Sequence, residues 1–230
     1  MEGQYSGVDI LEALESAHNY NDYLTRLICE STESKDLTDF GAGTGTFAKR
    51  LRQQGRCVLC IEPDSSQRER LIAAGFKVLP DIDSVPDESL PFVFSLNVFE
   101  HIENDRRAIE QIYEKLAPNG ALLLYVPAFH CLWSSLDDKV GHYRRYTKRT
   151  LRALVQPKFS IEKLQYVDFL GFIAAMTFRF LRSDARSLTA KSIASYDTWI
   201  FPLSRVFDVL FHRFLGKNVF VVCKKIAVEP

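Results

Sequence analysis

Asp36-Leu37-Thr38-Asp39-Phe40-Gly41-Ala42-Gly43-Thr44-Gly45 is the stretch that decides how the rest of this 230-residue chain is read. Asp36 to Phe40 reads as a short strand, the three glycines as a tight turn, and Phe47 to Gln54 as a helix directly behind it. Glycine lets a backbone bend sharply and lets a ligand approach where a Cβ would stand in the way. The helix N-terminus offers free N–H groups to polar or anionic parts of that ligand. Cys57 to Glu62 reads as a second strand and ends on an acid seventeen residues past Gly45. An acid at that place can accept hydrogen bonds from both hydroxyls of a ribose. Strand, turn, helix, strand and acid together describe a nucleoside-binding crevice at the C-terminal edge of a parallel sheet.

Working outward, strand-like and helix-like segments alternate. Ser65 to Ala74 is helical, Lys77 to Pro80 a third strand, Phe92 to Asn97 a fourth, Asn104 to Leu116 helical, and Ala121 to Val126 a fifth strand. Such alternation implies a parallel sheet covered by helices on both faces. Residues 9 to 30 read as an amphipathic opening helix or helix pair. Thr147 to Val155 is a helix with Thr147 as its N-cap, and Glu162 to Phe169 and Asn218 to Lys224 are two further strands.

The glycine pattern also bears on which nucleoside is bound. The dinucleotide fingerprint G-x-G-x-x-G/A fails, because its third position here is Thr46. Asp39 stands two residues before the first glycine, where an acid repels a pyrophosphate but can receive an ammonium. S-adenosylmethionine carries an amino group and no phosphate, so the chemistry favours it over NAD.

At these residues the chain resembles the class I S-adenosylmethionine-dependent methyltransferases. Asp39 to Gly45 resembles the family's first motif, Glu62-Pro63 its ribose-binding acid, and Asp81-Ile82 the acid and apolar residue that meet the adenine. Ser95 to Ile102, with Asn97 and Val98 on the cofactor side, resembles the motif closing strand four, and Leu116 to Val126 the turn into strand five. Tyr20-Asn21 resembles an N-terminal segment that covers the cofactor, with simple packing as the other reading of Tyr20 and Tyr23. The resemblance implies an α/β, Rossmann-like, seven-stranded, mostly parallel sheet whose last strand is antiparallel. It implies one domain over residues 1–230, with a helical cap (1–34), a cofactor-binding core (35–127), an acceptor loop and helix (128–160) and an apolar helical insertion (170–217). The cofactor-binding set it implies is Tyr20, Asp39, Gly41, Ala42, Gly43, Gly45, Glu62, Pro63, Asp81, Ile82, Asn97 and Val98.

The resemblance also places the methyl acceptor above the C-terminal ends of strands four and five. The loop there reads Phe129-His130-Cys131-Leu132-Trp133-Ser134-Ser135-Leu136-Asp137-Asp138, then Gly141-His142-Tyr143-Arg144-Arg145-Tyr146. Histidine suits general-base work near neutral pH, so His142, then His130, and Tyr143 are the catalytic candidates. His142 can equally hold the loop through Asp137 or Asp138. His101, Trp133, Arg144 and Tyr146 are the acceptor-binding candidates, although His101 can instead cap the loop after strand four. Arg145, Lys148, Arg149 and Arg152 follow helical spacing and read as a solvated face, while Arg144 and Tyr143 are better placed to face the pocket. The stretch from Asp137 through Tyr146 is also similar to a subgroup of bacterial methyltransferases of poorly defined substrate.

Insertion 170–217 carries Trp199, Leu203, Val206, Phe207, Leu210, Phe211 and Phe214 at helical spacing, an apolar face. It is expected to pack on the sheet and on itself, or to form a lid, an in-plane membrane contact beside Arg179, Arg182, Arg186 and Lys191, or a homodimer interface. Phe169 to Leu181 is too short for a membrane span. Met1 to Leu14 lacks the pattern of a signal peptide, so the expected compartment is the cytoplasm. With 29 basic and 29 acidic residues there is no global field for nucleic acid, and Asn97-Val98-Phe99-Glu100 lacks the motif used on nucleobase amines. Five scattered cysteines do not form a disulfide framework. Cys57 and Cys60, three apart on a strand, point to opposite faces and are both expected in the core, so no metal set is expected. The expected function is methyl transfer from S-adenosylmethionine to an O or N atom of a small, partly hydrophobic molecule. The alternatives are a non-catalytic S-adenosylmethionine-binding module or a nicotinamide-dependent oxidoreductase.

Overall fold

The computed structural model describes residues 16–180 and 190–226. The chain runs α1 (His18–Glu30), β1 (Asp36–Phe40), α2 (Thr46–Gln53), β2 (Cys57–Ile61), α3 (Ser65–Ala73), β3 (Lys77–Leu79), β4 (Leu90–Leu96), α4 (Asp105–Lys115), β5 (Leu116–Pro127), α5 (Ser135–Val140), α6 (Lys148–Val155), β6 (Phe159–Val167), α7 (Phe169–Phe180), α8 (Ala190–Ser195), α9 (Phe201–Phe211) and β7 (Asn218–Lys225). The sheet has seven strands in the order β3-β2-β1-β4-β5-β7-β6. β1 to β5 are mutually parallel, and β7 lies antiparallel between β5 and β6.

Period-two alternation divides the core between the faces. On β5, Leu122, Leu124 and Val126 join Ile109, Ile112, Leu151 and Val155 of α4 and α6. Ala121, Leu123 and Tyr125 join Leu24, Ile28, Ala48, Leu51 and Leu71 of α1, α2 and α3. Each fully buried Leu, Val or Phe is worth roughly 1.5–3 kcal/mol, so β4 and β5, buried along almost their whole length, carry the fold. Cys60 is buried and Cys57 exposed. The thiols do diverge, but Cys57, at the first position of β2, lies outside the core.

The C-terminal edge of the sheet is where the chain bends hardest. Gly41 after β1, Asn97 after β4, Phe129 after β5 and Asp168 after β6 all take left-handed φ, of 86°, 55°, 57° and 66°. Asp168, expected inside strand six, thus ends β6 at Val167 and opens α7 instead. Its Oδ1 accepts from the Gly171 N–H at 3.0 Å, as an N-cap does.

The insertion departs from the reading in which its apolar stripe packs on the sheet, because it turns a different face inward. On α9 the buried residues are Phe201, Ser204 and Asp208. Trp199, Val206 and Leu210 are 76%, 65% and 69% exposed, and Phe214 is exposed too. The apolar stripe faces outward because the first turns of α7 need acceptors for their free N–H groups. Asp208 accepts from the N–H groups of Asp168 (3.0 Å) and Phe169 (2.9 Å), and the Ser204 hydroxyl from that of Leu170 (2.9 Å). The Ser204 and Tyr196 hydroxyls donate to Asp168 Oδ1 at 2.8 and 2.5 Å. Of the basic residues expected beside this face, Arg182 and Arg186 lie outside the described residues, as do residues 9–15 of the opening helix. Among the described residues no helix is long and apolar enough to cross a membrane.

A second fastening joins the insertion to the N-terminal helix. Asp197, 4% exposed, accepts from the N–H groups of Asn19 and Tyr20 at 2.9 and 2.8 Å, and the Asn19 amide donates to the Asp197 carbonyl at 2.9 Å. The first turn of α1 has no cap of its own; one arrives from 177 residues away. Asp197→Ala is expected to cost about 0.5–2 kcal/mol, the range for a lost helix cap, with Asp197→Asn losing less. Urea unfolding of both variants checks this, and an Asp197→Ala chain as stable as its parent would show that the fastening carries no energy.

Candidate functional site

The turn after β1 is stitched to the end of β2. Gly41 and Ala42 donate to the Ile61 carbonyl at 2.9 and 3.2 Å. Gly43 donates to Glu62 Oε2 at 2.7 Å, and Asp64 donates to Glu62 Oε1 at 2.9 Å. Glu62 therefore shapes the turn as well as bordering it. Gly41, Gly43 and Gly45 all have left-handed φ, and a Cβ on Gly41 would meet Val98 Cγ2 at 2.4 Å. Val98 lies on the turn in the space that only glycine leaves.

Asp39 sits beneath this turn, 3% exposed, and its Oδ2 is buried with no hydrogen-bond partner. Burial, and then the charge of Glu62, push its carboxyl up to about 8. An unsatisfied buried carboxylate oxygen costs on the order of 1–3 kcal/mol or more, and a cationic or hydrogen-donating ligand relieves it. Tyr20 closes the same region from α1. Its ring stands edge-on to Tyr125 of β5 (6.2 Å between centroids) and to Phe201 of α9 (5.4 Å). Burial pushes its hydroxyl up to about 12, with Tyr125 and Asn97 as neighbours. Asp81 and Pro63 are exposed. Asp81 caps a short 3-10 turn by accepting from the Ser84 N–H (2.9 Å) and hydroxyl (2.8 Å), and Ile82 is buried in the core.

The loop after β5 is organised by Asp137, a 1%-exposed carboxylate. His142 Nδ1 lies 2.8 Å from its Oδ1. Arg145 donates to both of its oxygens, at 2.7 and 3.0 Å, and Ser134 donates through its N–H and hydroxyl at 2.9 and 3.0 Å. Burial alone would raise this carboxyl, but these donors hold it well below the usual range. Of the two acids expected to hold His142, Asp137 does so; Asp138 accepts instead from the Trp133 indole N–H at 2.9 Å. Arg145, expected on the solvated face with Lys148, Arg149 and Arg152, lies before that helix and buries its guanidinium against Asp137. The basic run divides because α6 starts only at Lys148.

The remaining candidates separate into two groups. His142 and His101 meet edge to face with centroids 4.6 Å apart, and Trp133 lies 6.5 Å from His142 and 5.2 Å from His130. Tyr143 and Arg144 turn away. The Tyr143 ring is 55% exposed, and Arg144 is pinned to Asp105 Oδ2 (2.8 Å) and the Glu103 carbonyl (2.6 Å). Tyr146 is buried, and its hydroxyl donates to the Phe99 carbonyl or to Asp105. Sequence reasoning missed Glu100, next to His101. Glu100 is 1% exposed, its Oε2 has no partner, and burial pushes its carboxyl up to about 8. A charged residue between Phe99 and Ile102 in a turn was the available signal.

The raised Asp39 carboxyl has a consequence for stability. A folded-state pKa above the unfolded value means that stability is fully present below about pH 4 and is lost as pH rises toward about 8. Glu100 acts with the same sign, so the comparison must be with Asp39→Asn. The variant is expected to gain stability relative to the parent between pH 5 and 8, by up to about 1.4 kcal/mol per pH unit. Urea unfolding at pH 5, 6.5 and 8 reads this difference, and a pH-independent difference would overturn the assignment.

The methyltransferase domain family matches residues 11–157. An uncharacterized methyltransferase of Oceanobacillus iheyensis is 30% identical over 116 residues, 47% of this chain and 54% of the relative, so the match spans about half of that protein's length. Among solved structures, a SAM-dependent methyltransferase from Archaeoglobus fulgidus superposes with a TM-score of 0.63 at 16% identity, over 91% of this chain and 94% of its own. The phosphoethanolamine N-methyltransferase 2 of Haemonchus contortus, solved with S-adenosyl-L-methionine, gives 0.60 at 16% identity over 89% of this chain and 53% of that one. The chain belongs to the methyltransferase domain family, and its fold is that of the S-adenosylmethionine-dependent methyltransferases.

Proposed function

We propose that this chain transfers a methyl group from S-adenosylmethionine to an oxygen or nitrogen of a small, partly hydrophobic molecule. The observation that carries the reading is Asp39 Oδ2, a buried, partnerless carboxylate oxygen beneath a left-handed glycine turn bordered by Glu62. A site built for pyrophosphate has no use for that oxygen. A site for an amino acid's ammonium does, so the residues present fit this cofactor. When bound, S-adenosylmethionine supplies a methyl group already activated on sulfur. Asp39 would receive its ammonium and Glu62 its ribose hydroxyls, Gly41 and Gly43 would leave room for it, and Tyr20, Asn97 and Val98 would close over it, with Asp81 and Ile82 on the adenine side.

On the acceptor side the protein must align the nucleophile and keep its lone pair free; alignment alone supplies much of the acceleration in such a displacement. Glu100, His101 and His142 gather at the end of β4 for that task, with Trp133 and His130 as their aromatic flank. The insertion walls the same side, since Arg179 of α7 donates to the Trp133 carbonyl at 2.7 Å. The five free cysteines suit a reducing compartment such as the cytoplasm.

Isothermal titration with S-adenosylmethionine and S-adenosylhomocysteine tests the reading. Micromolar binding is expected for both, lost in Gly43→Asp. Near pH 7 binding is expected to release up to one proton, read from titrations in two buffers of different ionisation heat, because an ammonium beside Asp39 favours its ionised form. Asp39→Asn should release none. A folded chain that gives no heat with either ligand, or that binds NAD(P)H instead, would refute the proposal. Cofactor binding with no turnover of phenols, hydrophobic acids or amines would leave only a binding module.

A further inference from the structure

We propose that Glu100, His101 and His142 hold one divalent metal ion at the mouth of the acceptor site. One ligand atom from each residue lies within 4.8 Å of the other two. Glu100 Oε1 is 3.9 Å from His142 Nε2, too far for a hydrogen bond. Two ligands on a common zinc-like ion, each about 2.1 Å from it, stand roughly 3.4 Å apart, so a small closure of the side chains completes the site.

Two observations separate this group from a chance meeting of polar residues. The first is Glu100 Oε2, buried in a side chain 1% exposed and without any hydrogen-bond partner. The second is that His142 is fixed from behind. Its Nδ1 is held by Asp137 at 2.8 Å, leaving Nε2 to face Glu100. That is the carboxylate–histidine–metal arrangement, in which the outer carboxylate sets the tautomer and aims the ring.

Two imidazoles and one carboxylate suit a borderline ion such as zinc and disfavour magnesium, which takes oxygen ligands. Three protein ligands leave positions open, as in catalytic rather than structural metal sites. An oxygen of the acceptor can occupy one, which would select hydroxyl- or carboxylate-bearing acceptors over simple amines. The ion site itself is independent of the methyl-transfer reading; only the role given to it in acceptor choice rests on that reading.

The test uses chelator-treated full-length chain without cofactor, titrated with Zn2+ and separately with Mg2+. One Zn2+ per chain with micromolar or tighter affinity is expected, and no comparable Mg2+ binding. Glu100→Gln and His142→Gln should each weaken Zn2+ binding at least tenfold. Asp137→Asn should weaken it about 10- to 100-fold as an outer partner, while His18→Ala, at an exposed histidine, should leave it unchanged. Co2+ loading provides a readout independent of the thermodynamics, a visible absorption band in the parent that His142→Gln abolishes while circular dichroism stays native. No stoichiometric Zn2+ binding, or binding that survives Glu100→Gln and His142→Gln, would overturn the proposal. A chain that binds Zn2+ but not S-adenosylmethionine would retain the ion site and lose the proposed function; methyl transfer in excess chelator by a chain that binds no Zn2+ would do the reverse.

Discussion

Parallel strands must all release their chain at the same edge of the sheet, and in this fold that requirement shapes everything functional. β1, β4 and β5 end side by side, and β6, parallel to them across β7, ends at the same edge. The chain leaves all four through left-handed residues, Gly41, Asn97, Phe129 and Asp168. Only the first is glycine. For Asn97 and Asp168 the strain is modest, since short polar side chains tolerate this region; for Phe129 it is greater. The sheet keeps these bends because β4 and β5 lie in the densest part of the core, where residues such as Phe92, Phe94, Leu122 and Leu124 have no exposed surface.

Buried carboxylates fasten the loops that leave this edge, and they fall into two physical kinds. Asp137, Asp168, Asp197 and Asp208 accept two or more hydrogen bonds each, from helix N-termini, hydroxyls or Arg145. They hold the loop after β5, the insertion and α1 in place. Asp39 and Glu100 differ, since each keeps one buried oxygen with no partner. A carboxylate whose valences are met by its own protein is there for the fold. One left short is provision for something else, and these two flank the positions where cofactor and acceptor are proposed to meet.

The alternation that marked the sheet was legible because apolar period and glycine turns are local signals. So was the first motif, whose strand, turn and acid lie within 27 residues, from Asp36 to Glu62. The insertion was legible as helix but not as to which side faced in. An apolar stripe normally points to the core; here Ser204 and Asp208 were required inside as caps for α7, a demand that exists only once β6 has ended at Val167. Glu100 was passed over because charge between apolar residues in a turn usually means solvent. Arg145 was grouped with Lys148, Arg149 and Arg152 by spacing, although the helix begins after it.

The cap that Asp197 places on α1 joins two jobs that a designer would keep apart. The lobe beside the loop after β5 also anchors the helix that carries Tyr20, the residue proposed to close over the cofactor. If the proposed sites hold, re-cutting the lobe to admit a bulkier acceptor would disturb the latch on the opposite door, and selectivity for one ligand and dwell time of the other would be set by the same few turns of helix.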